Sequence, residues 1–280
     1  MHASEPIIRE PAVAGEFYPA GPGAVRGLVQ RLLEAARSGE PVAARAAIVP
    51  HAGYAFSGPC AAQVYARIRI PDTVVILGPN HHAAGRWREA CLWATGAFDS
   101  PLGRLEIDGA FAAALMAACP HVVHDPGAHA LDHALEVQLP FLVVRRPSAS
   151  PAIVPILVGW EDWPRCAHLA GAIVDLVRAR GPHGVLLLAS SDMTHFEPAA
   201  AALRHDEPAL DAIRRLDGAM LLCVCRERKI SMCGAAAAAI VVEASRQLGA
   251  TRAEVVAHTH SGLVTGDDSS VVSYAGVVIS

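Results

Sequence analysis

The chain has 280 residues, 52% of them hydrophobic and 18% charged, the balance of a globular protein with a large core rather than of a disordered or fibrous one. A net charge of -4 with arginines scattered along the chain gives no electrostatic reason to engage nucleic acid. Mean hydropathy is positive, yet the longest apolar stretch, Gly234 to Val242, stops at Glu243, well short of the roughly 20 residues that a membrane-spanning helix needs.

The amino-terminal segment, Met1 to Glu10, carries His2, Glu5, Pro6 and Arg9 where a signal peptide would need an apolar core, so a cytoplasmic location is expected. Seven cysteines without any Cys-x-x-Cys pair indicate neither a disulfide framework nor a zinc ribbon.

Apolar runs of strand length alternate with helical stretches. This pattern predicts a single α/β domain over 1–280, with a largely parallel or mixed central sheet and helices on both faces. The first strand is expected at Ala46 to Val49, then a helix from Pro59 to Ile68 capped by Ser57. Thr73 to Leu77 is an apolar run of the kind buried on both faces, ending at Gly78-Pro79. Strands are expected at Ala90 to Ala94 and Arg104 to Ile107, then a helix to about Ala118 with Asp108 as its cap. A helix from Leu131 to Val143 would be kinked or ended by Pro140. Buried strands at Ala152 to Val158 and Val185 to Ala189 flank a helix from Cys166 to Arg180. Further helices are expected at Glu207 to Leu216 and Gly234 to Leu248. Val255 to His258 and Ser270 to Ile279 read as closing strands that could pair antiparallel.

In open α/β sheets, ligands bind beyond the carboxyl ends of the strands. His51, His81 and His195 each follow an apolar run, which makes them candidates for a metal site assembled from distant parts of the chain. Each taken alone reads more often as a hydrogen-bonded loop residue than as a ligand. Cys233 stands just before the helix that starts at Gly234, where a helix amino terminus stabilises a thiolate; the alternative is a small buried hydrophobe. His124, His129 and His133 with Asp125, Asp132 and Glu136 form a polar cluster. It could bind a second metal or contact a substrate, or equally be a capped loop entering a helix, in which His129 and His133, or His133 and Glu136, could share a helix face and Asp132 could be the cap. Ser190-Ser191-Asp192 reads as a strand exit or a nucleophile site without the Gly-x-Ser-x-Gly elbow. Gly266 to Ser270 reads as a turn, and His258 and His260 share one face of a strand.

Five segments, taken together and in this order, resemble the Memo family, the second component of the AmmeMemoRadiSam system. They are Arg9-Glu10-Pro11-Ala12-Val13-Ala14-Gly15-Glu16-Phe17-Tyr18-Pro19, Pro50-His51-Ala52-Gly53-Tyr54-Ala55-Phe56-Ser57-Gly58, Leu77-Gly78-Pro79-Asn80-His81-His82, Ser190-Ser191-Asp192-Met193-Thr194-His195-Phe196 and Met232-Cys233-Gly234. That family is similar to the catalytic subunits of class III extradiol dioxygenases, and the resemblance implies their fold here. It also implies that His51, His81 and Cys233 hold a metal, with Asp192 and His195 as catalytic groups in the same pocket. His133 and Glu136 match a further family segment near the cleft, and Tyr54, Asn80 and His82 lie in matching segments expected to line it. The dioxygenases complete their iron site with a carboxylate. Cys233 would place a thiolate there, which moves preference toward zinc or copper(I) or changes the potential of iron.

The resemblance thus implies one metal ion, iron favoured with copper or zinc as alternatives, in a redox enzyme with a dioxygenase-like pocket. Its substrate would be an unidentified small molecule or peptide. Two other functions fit the same residues: a protein- or peptide-binding cleft, and metal-assisted hydrolysis by a zinc-bound water. The family's name implies work beside a radical S-adenosylmethionine enzyme and a small AMMECR1-like companion.

Overall fold

Four strands, Ala46–Val49, Val185–Ser190, Thr73–Pro79 and Ala152–Val158, lie side by side in that order and run parallel. Alternate side chains of a strand point to opposite faces, so continuous apolar runs need cover on both sides. Ile48, Val75, Leu77, Val154 and Leu187 pack into one apolar layer with Leu115, Ile173 and Ile240, which come from the helices Gly109–Ala118, Trp163–Arg180 and Ala235–Gln247. Ala47, Val49, Val74, Ile76 and Leu188 face the other layer, built with Val29, Val64 and Phe141 from the helices Pro22–Ala35, Tyr54–Tyr65 and Leu139–Arg145. The computed structural model describes residues 7–37, 39–181 and 184–280.

At one margin Ala90–Leu92 pairs antiparallel with Ala152–Val158 and parallel with Val122–His124. At the other, Val271–Ile279 runs antiparallel to Ala46–Val49, to Ala253–His260 and to His195–Glu197. Among the described residues the sheet has nine strands, and it is mixed: parallel through its four central strands, with antiparallel pairs on both sides of them. A second sheet of three short strands, Ile8–Arg9, Ala97–Phe98 and Leu105–Glu106, anchors the amino-terminal arm. No helix among the described residues is long and apolar enough to cross a membrane. Of the segment whose composition argues against a signal peptide, residues 1–6 lie outside the described residues.

Asp108 caps its helix as expected, accepting the Phe111 amide at 3.0 Å. Ser57 is not a cap: the helix starts at Tyr54, and the Ser57 hydroxyl donates to the Ala52 carbonyl at 2.8 Å. The expected helix from Leu131 does not form. Asp132 takes the Ala134 and His81 amides into its carboxylate, and helical structure begins only with the 3-10 turn Glu136–Gln138. Pro140 neither kinks nor ends a helix. It sits at the second position of Leu139–Arg145, where a missing N–H costs nothing. The helix expected from Glu207 starts earlier, spans Ala199–Arg214 and contains Pro208.

Candidate metal centre

His51 and His81 follow the strands Ala46–Val49 and Thr73–Pro79, and the strand between them, Val185–Ser190, leads into Asp192. The carboxyl ends of three adjacent parallel strands therefore bring these residues to one place.

His51 is 2% exposed and is held from both ends. Its backbone N–H donates to Asp192 Oδ1 at 2.8 Å, and its Nδ1 lies 3.0 Å from Ser190 Oγ. The Ser190 hydroxyl has one proton and gives it to the Ala134 carbonyl at 2.6 Å, while accepting from Gln138 Nε2 at 2.9 Å. His51 Nδ1 must then be the donor to Ser190, and the lone pair is left on Nε2. That Nε2 faces Cys233 Sγ at 3.2 Å.

His81 stands on the open side. Its backbone N–H donates to Asp132 Oδ2 at 2.8 Å, and its Nδ1 lies 3.4 Å from the same carboxylate. Cys233 Sγ accepts the Asp192 backbone N–H at 3.3 Å. The donor atoms of His51, His81 and Cys233 all lie within 4.8 Å of one another. A metal about 2.1 Å from imidazole nitrogen and about 2.3 Å from thiolate sulfur holds those atoms about 3.1 to 3.6 Å apart, for angles from right to tetrahedral. The 3.2 Å contact between His51 and Cys233 fits that range.

His81, Asp132 and His133 also bring donor atoms within 4.8 Å of one another. The His133 ring, however, stacks on His81 at 4.5 Å and 10° and meets His51 edge-on at 5.4 Å. Nitrogen lone pairs lie in the ring plane, so stacked rings direct them side by side rather than to one point. His133 is a wall of the centre, backed by Phe17 at 4.6 Å.

Burial, then the charge on His81, lowers His51 to about 3, and burial, then His51 and His81, lowers His133 to about 4. Both rings are neutral near pH 7, the form that coordinates or accepts a proton. Burial alone would raise Asp132, but the hydrogen bond and charge of His81 and the Ala134 and His81 amides outweigh it and bring the carboxyl down to about 2. The helix amino terminus does favour a thiolate at Cys233, through the Gly234 amide, but it is outweighed in the metal-free protein. Burial, then the Asp192 charge, raises the thiol to about 12, and the Gly234 amide only partly opposes them. Burial also raises Asp192, against the His51 amide and the charges of His195 and His133.

A cleft of 420 Å³ opens beside His133 and Asp192, walled by Phe17, Phe56, Phe196 and Tyr274. Phe196 is 78% exposed and its φ of 61° is a left-handed value rarely adopted by a bulky residue. His195, its neighbour, donates its backbone N–H to Ser231 Oγ at 2.8 Å and its Nδ1–H to the Ser231 carbonyl at 2.9 Å, so Nε2 is free to accept a proton. Ser231 orients this imidazole through both contacts.

The remaining expected residues separate. Glu136 is fully buried and faces away from the cleft: it pairs with Arg9 at 2.8 Å and accepts from the Ala12 and Val13 amides and the Tyr18 hydroxyl. Tyr54 is buried, its hydroxyl donating to the Val137 carbonyl at 2.6 Å. Asn80 clamps its own loop through two bonds to Ala84, and His82 is exposed on that loop. His129 does not share a helix face with His133, because the helix Pro126–His129 ends there; its Nε2 donates to the Cys91 carbonyl at 2.8 Å. His258 is tied to Asp206 at 2.8 Å. Sequence reasoning missed Gln138, Ser231 and the roles of Ser190 and Asp132 as supports of the two imidazoles. For Ser190 the signal was present, since a polar residue at a buried strand end needs partners; for Gln138 there was none.

The family model described as "Memo-like protein" matches residues 9–278. A MEMO1 family protein of Methanopyrus kandleri is 38% identical over 282 residues, covering 96% of this chain and 98% of its own length. One of Aquifex aeolicus is 37% identical over 271 residues, covering 97% of this chain and 98% of its own. Among solved structures, the crystal structure of uncharacterized protein JW3007 from Escherichia coli K12 superposes with a TM-score of 0.51 at 15% identity, over 84% of this chain and 99% of that one. The last likeness is one of fold alone.

Proposed function

This chain belongs to the Memo family, and we propose that it binds one transition-metal ion between His51, His81 and Cys233 and serves as a metal-dependent oxidoreductase on a ligand seated in the adjoining cleft. The observation that carries this reading is the convergence of three donor atoms, one of which, His51 Nε2, has its lone pair fixed by the hydrogen bonds behind it. Carboxylate or hydroxyl partners behind ligating histidines are the usual support of such centres, and Asp132 stands in that place behind His81.

The resemblance to class III extradiol dioxygenases favours iron; the thiolate also suits copper(I) and zinc. The bound ion would supply Lewis-acid and one-electron chemistry beside the cleft. The protein's own part is to orient and exclude. Phe17, Phe56, Phe196 and Tyr274 keep water from one side of the ligand. His195 Nε2 takes or returns a proton, held in the needed tautomer by Ser231. His133, neutral and stacked on His81, offers a second uncharged imidazole at the cleft wall.

The test is metal analysis of protein purified without oxygen and without a metal-binding tag, alongside His51→Ala, His81→Ala and Cys233→Ala. Near-stoichiometric metal in the wild type, lost in all three variants, is the expected result. A wild type that holds none and takes up none on reconstitution overturns the reading. A recognition cleft is the second reading, favoured by the exposed apolar residues Phe56, Phe196, Leu263 and Val264. It gains if His51→Ala and Cys233→Ala lose metal yet bind a peptide ligand unchanged.

A further inference from the structure

Two cavities reach the centre, and their linings share no residue. The cleft of 420 Å³ meets it at His133 and Asp192. A second cavity of 240 Å³ lies at the carboxyl ends of Thr73–Pro79 and Ala152–Val158 and meets it at Cys233. The partition between them is thin: the Asp192 backbone N–H bonds directly to Cys233 Sγ at 3.3 Å.

Ala236 and Ala237 of the helix Ala235–Gln247 line the second cavity with nothing larger than methyl groups. Its chemistry differs from that of the cleft. Trp160 lines it, and the indole Nε1 is buried without a hydrogen-bond partner among the described residues. Glu161 lies in the wall and no Lys or Arg does, which disfavours anions.

We propose that this cavity is a separate entrance by which small uncharged molecules of a few heavy atoms reach Cys233, while larger organic ligands use the aromatic cleft. The inference concerns access to the thiol and holds with or without a bound metal; it rests on the metal-centre reading only for what such a molecule then does there.

The experiment labels metal-free protein at fixed pH with methyl methanethiosulfonate, a small neutral reagent, and follows Cys233 by peptide mass mapping. Glu161→Trp narrows the second cavity from an exposed position and Ala236→Phe fills it from within; Thr265→Trp narrows the cleft. Labelling of Cys233 slows roughly ten-fold or more in the first two and stays within roughly two-fold of wild type in the third. Slowing by Thr265→Trp, or unchanged rates in both Glu161→Trp and Ala236→Phe, overturns the proposal. Glu161→Trp keeps the test decisive if Ala236→Phe disturbs folding, because Glu161 is exposed. Absence of metal in the wild type would sink the metal-centre reading and leave this result standing.

Discussion

The hydroxyl of Ser190 decides the tautomer of His51. Its single proton goes to the Ala134 carbonyl at 2.6 Å, so the imidazole 3.0 Å away can only donate to it, and the opposite nitrogen presents its lone pair to Cys233. A strand-end serine that would pass for a spare nucleophile is thereby a support for the neighbouring ligand.

Ser190→Ala tests this directly. Without the acceptor, His51 is free to change tautomer and turn, and metal affinity in a competition titration falls about 10- to 100-fold. Stability drops by about 1–3 kcal/mol because Gln138 and His51 each lose a buried partner. Unchanged affinity would show that another group orients the ring.

Metal binding should raise stability. An ion that binds only the folded state at a hundred times its dissociation constant adds about 2.7 kcal/mol. Thermal unfolding with and without a chelator measures this gain, which should vanish in Cys233→Ala and His51→Ala and persist in His82→Ala, whose side chain is exposed.

Glu136 anchors the amino-terminal arm that brings Phe17 against His133. Glu136→Gln leaves the Arg9 guanidinium, itself 2% exposed, without its counter-charge, and denaturant unfolding should show a loss of about 3–5 kcal/mol. Replacing both partners with apolar residues should recover much of that loss. A cost below about 1 kcal/mol for the single variant would mean that the arm is held by other contacts.

Acid stability depends in part on His129, which does not line the cleft. Burial lowers this imidazole from 6.5 to about 4, so the unfolded chain takes up its proton first as pH falls. Stability therefore decreases between pH 6.5 and 4 and changes no further on this account below that window, by about 3 kcal/mol in all. His129→Gln, which keeps a donor for the Cys91 carbonyl, should flatten that part of the curve. His51 and His133 titrate in the same sense in both proteins and cancel in the comparison. Parallel curves would refute the assignment.

The central strands were legible because they are continuous apolar runs, and Asp108 was legible as a cap because the interaction spans three residues. Leu131 to Leu135 was misread for the opposite reason. Its helical spacing is real, but Asp132 is drawn to the amide of His81, 51 residues away, and no local pattern registers such a partner. Glu136 failed likewise: its motif points to the cleft, whereas Arg9, 127 residues distant, holds it beneath the floor.

By itself, the order of apolar and polar residues determined the α/β alternation and put His51, His81 and His195 after apolar runs, because strand period and helix period are local properties of the chain. Tertiary structure alone decided the rest: which imidazole nitrogen carries a proton, that Cys233 is raised rather than lowered, and that Phe17 walls the cleft. Each of these depends on burial and on partners brought in from remote segments, and desolvation is a property of the packed interior that no run of neighbouring residues carries.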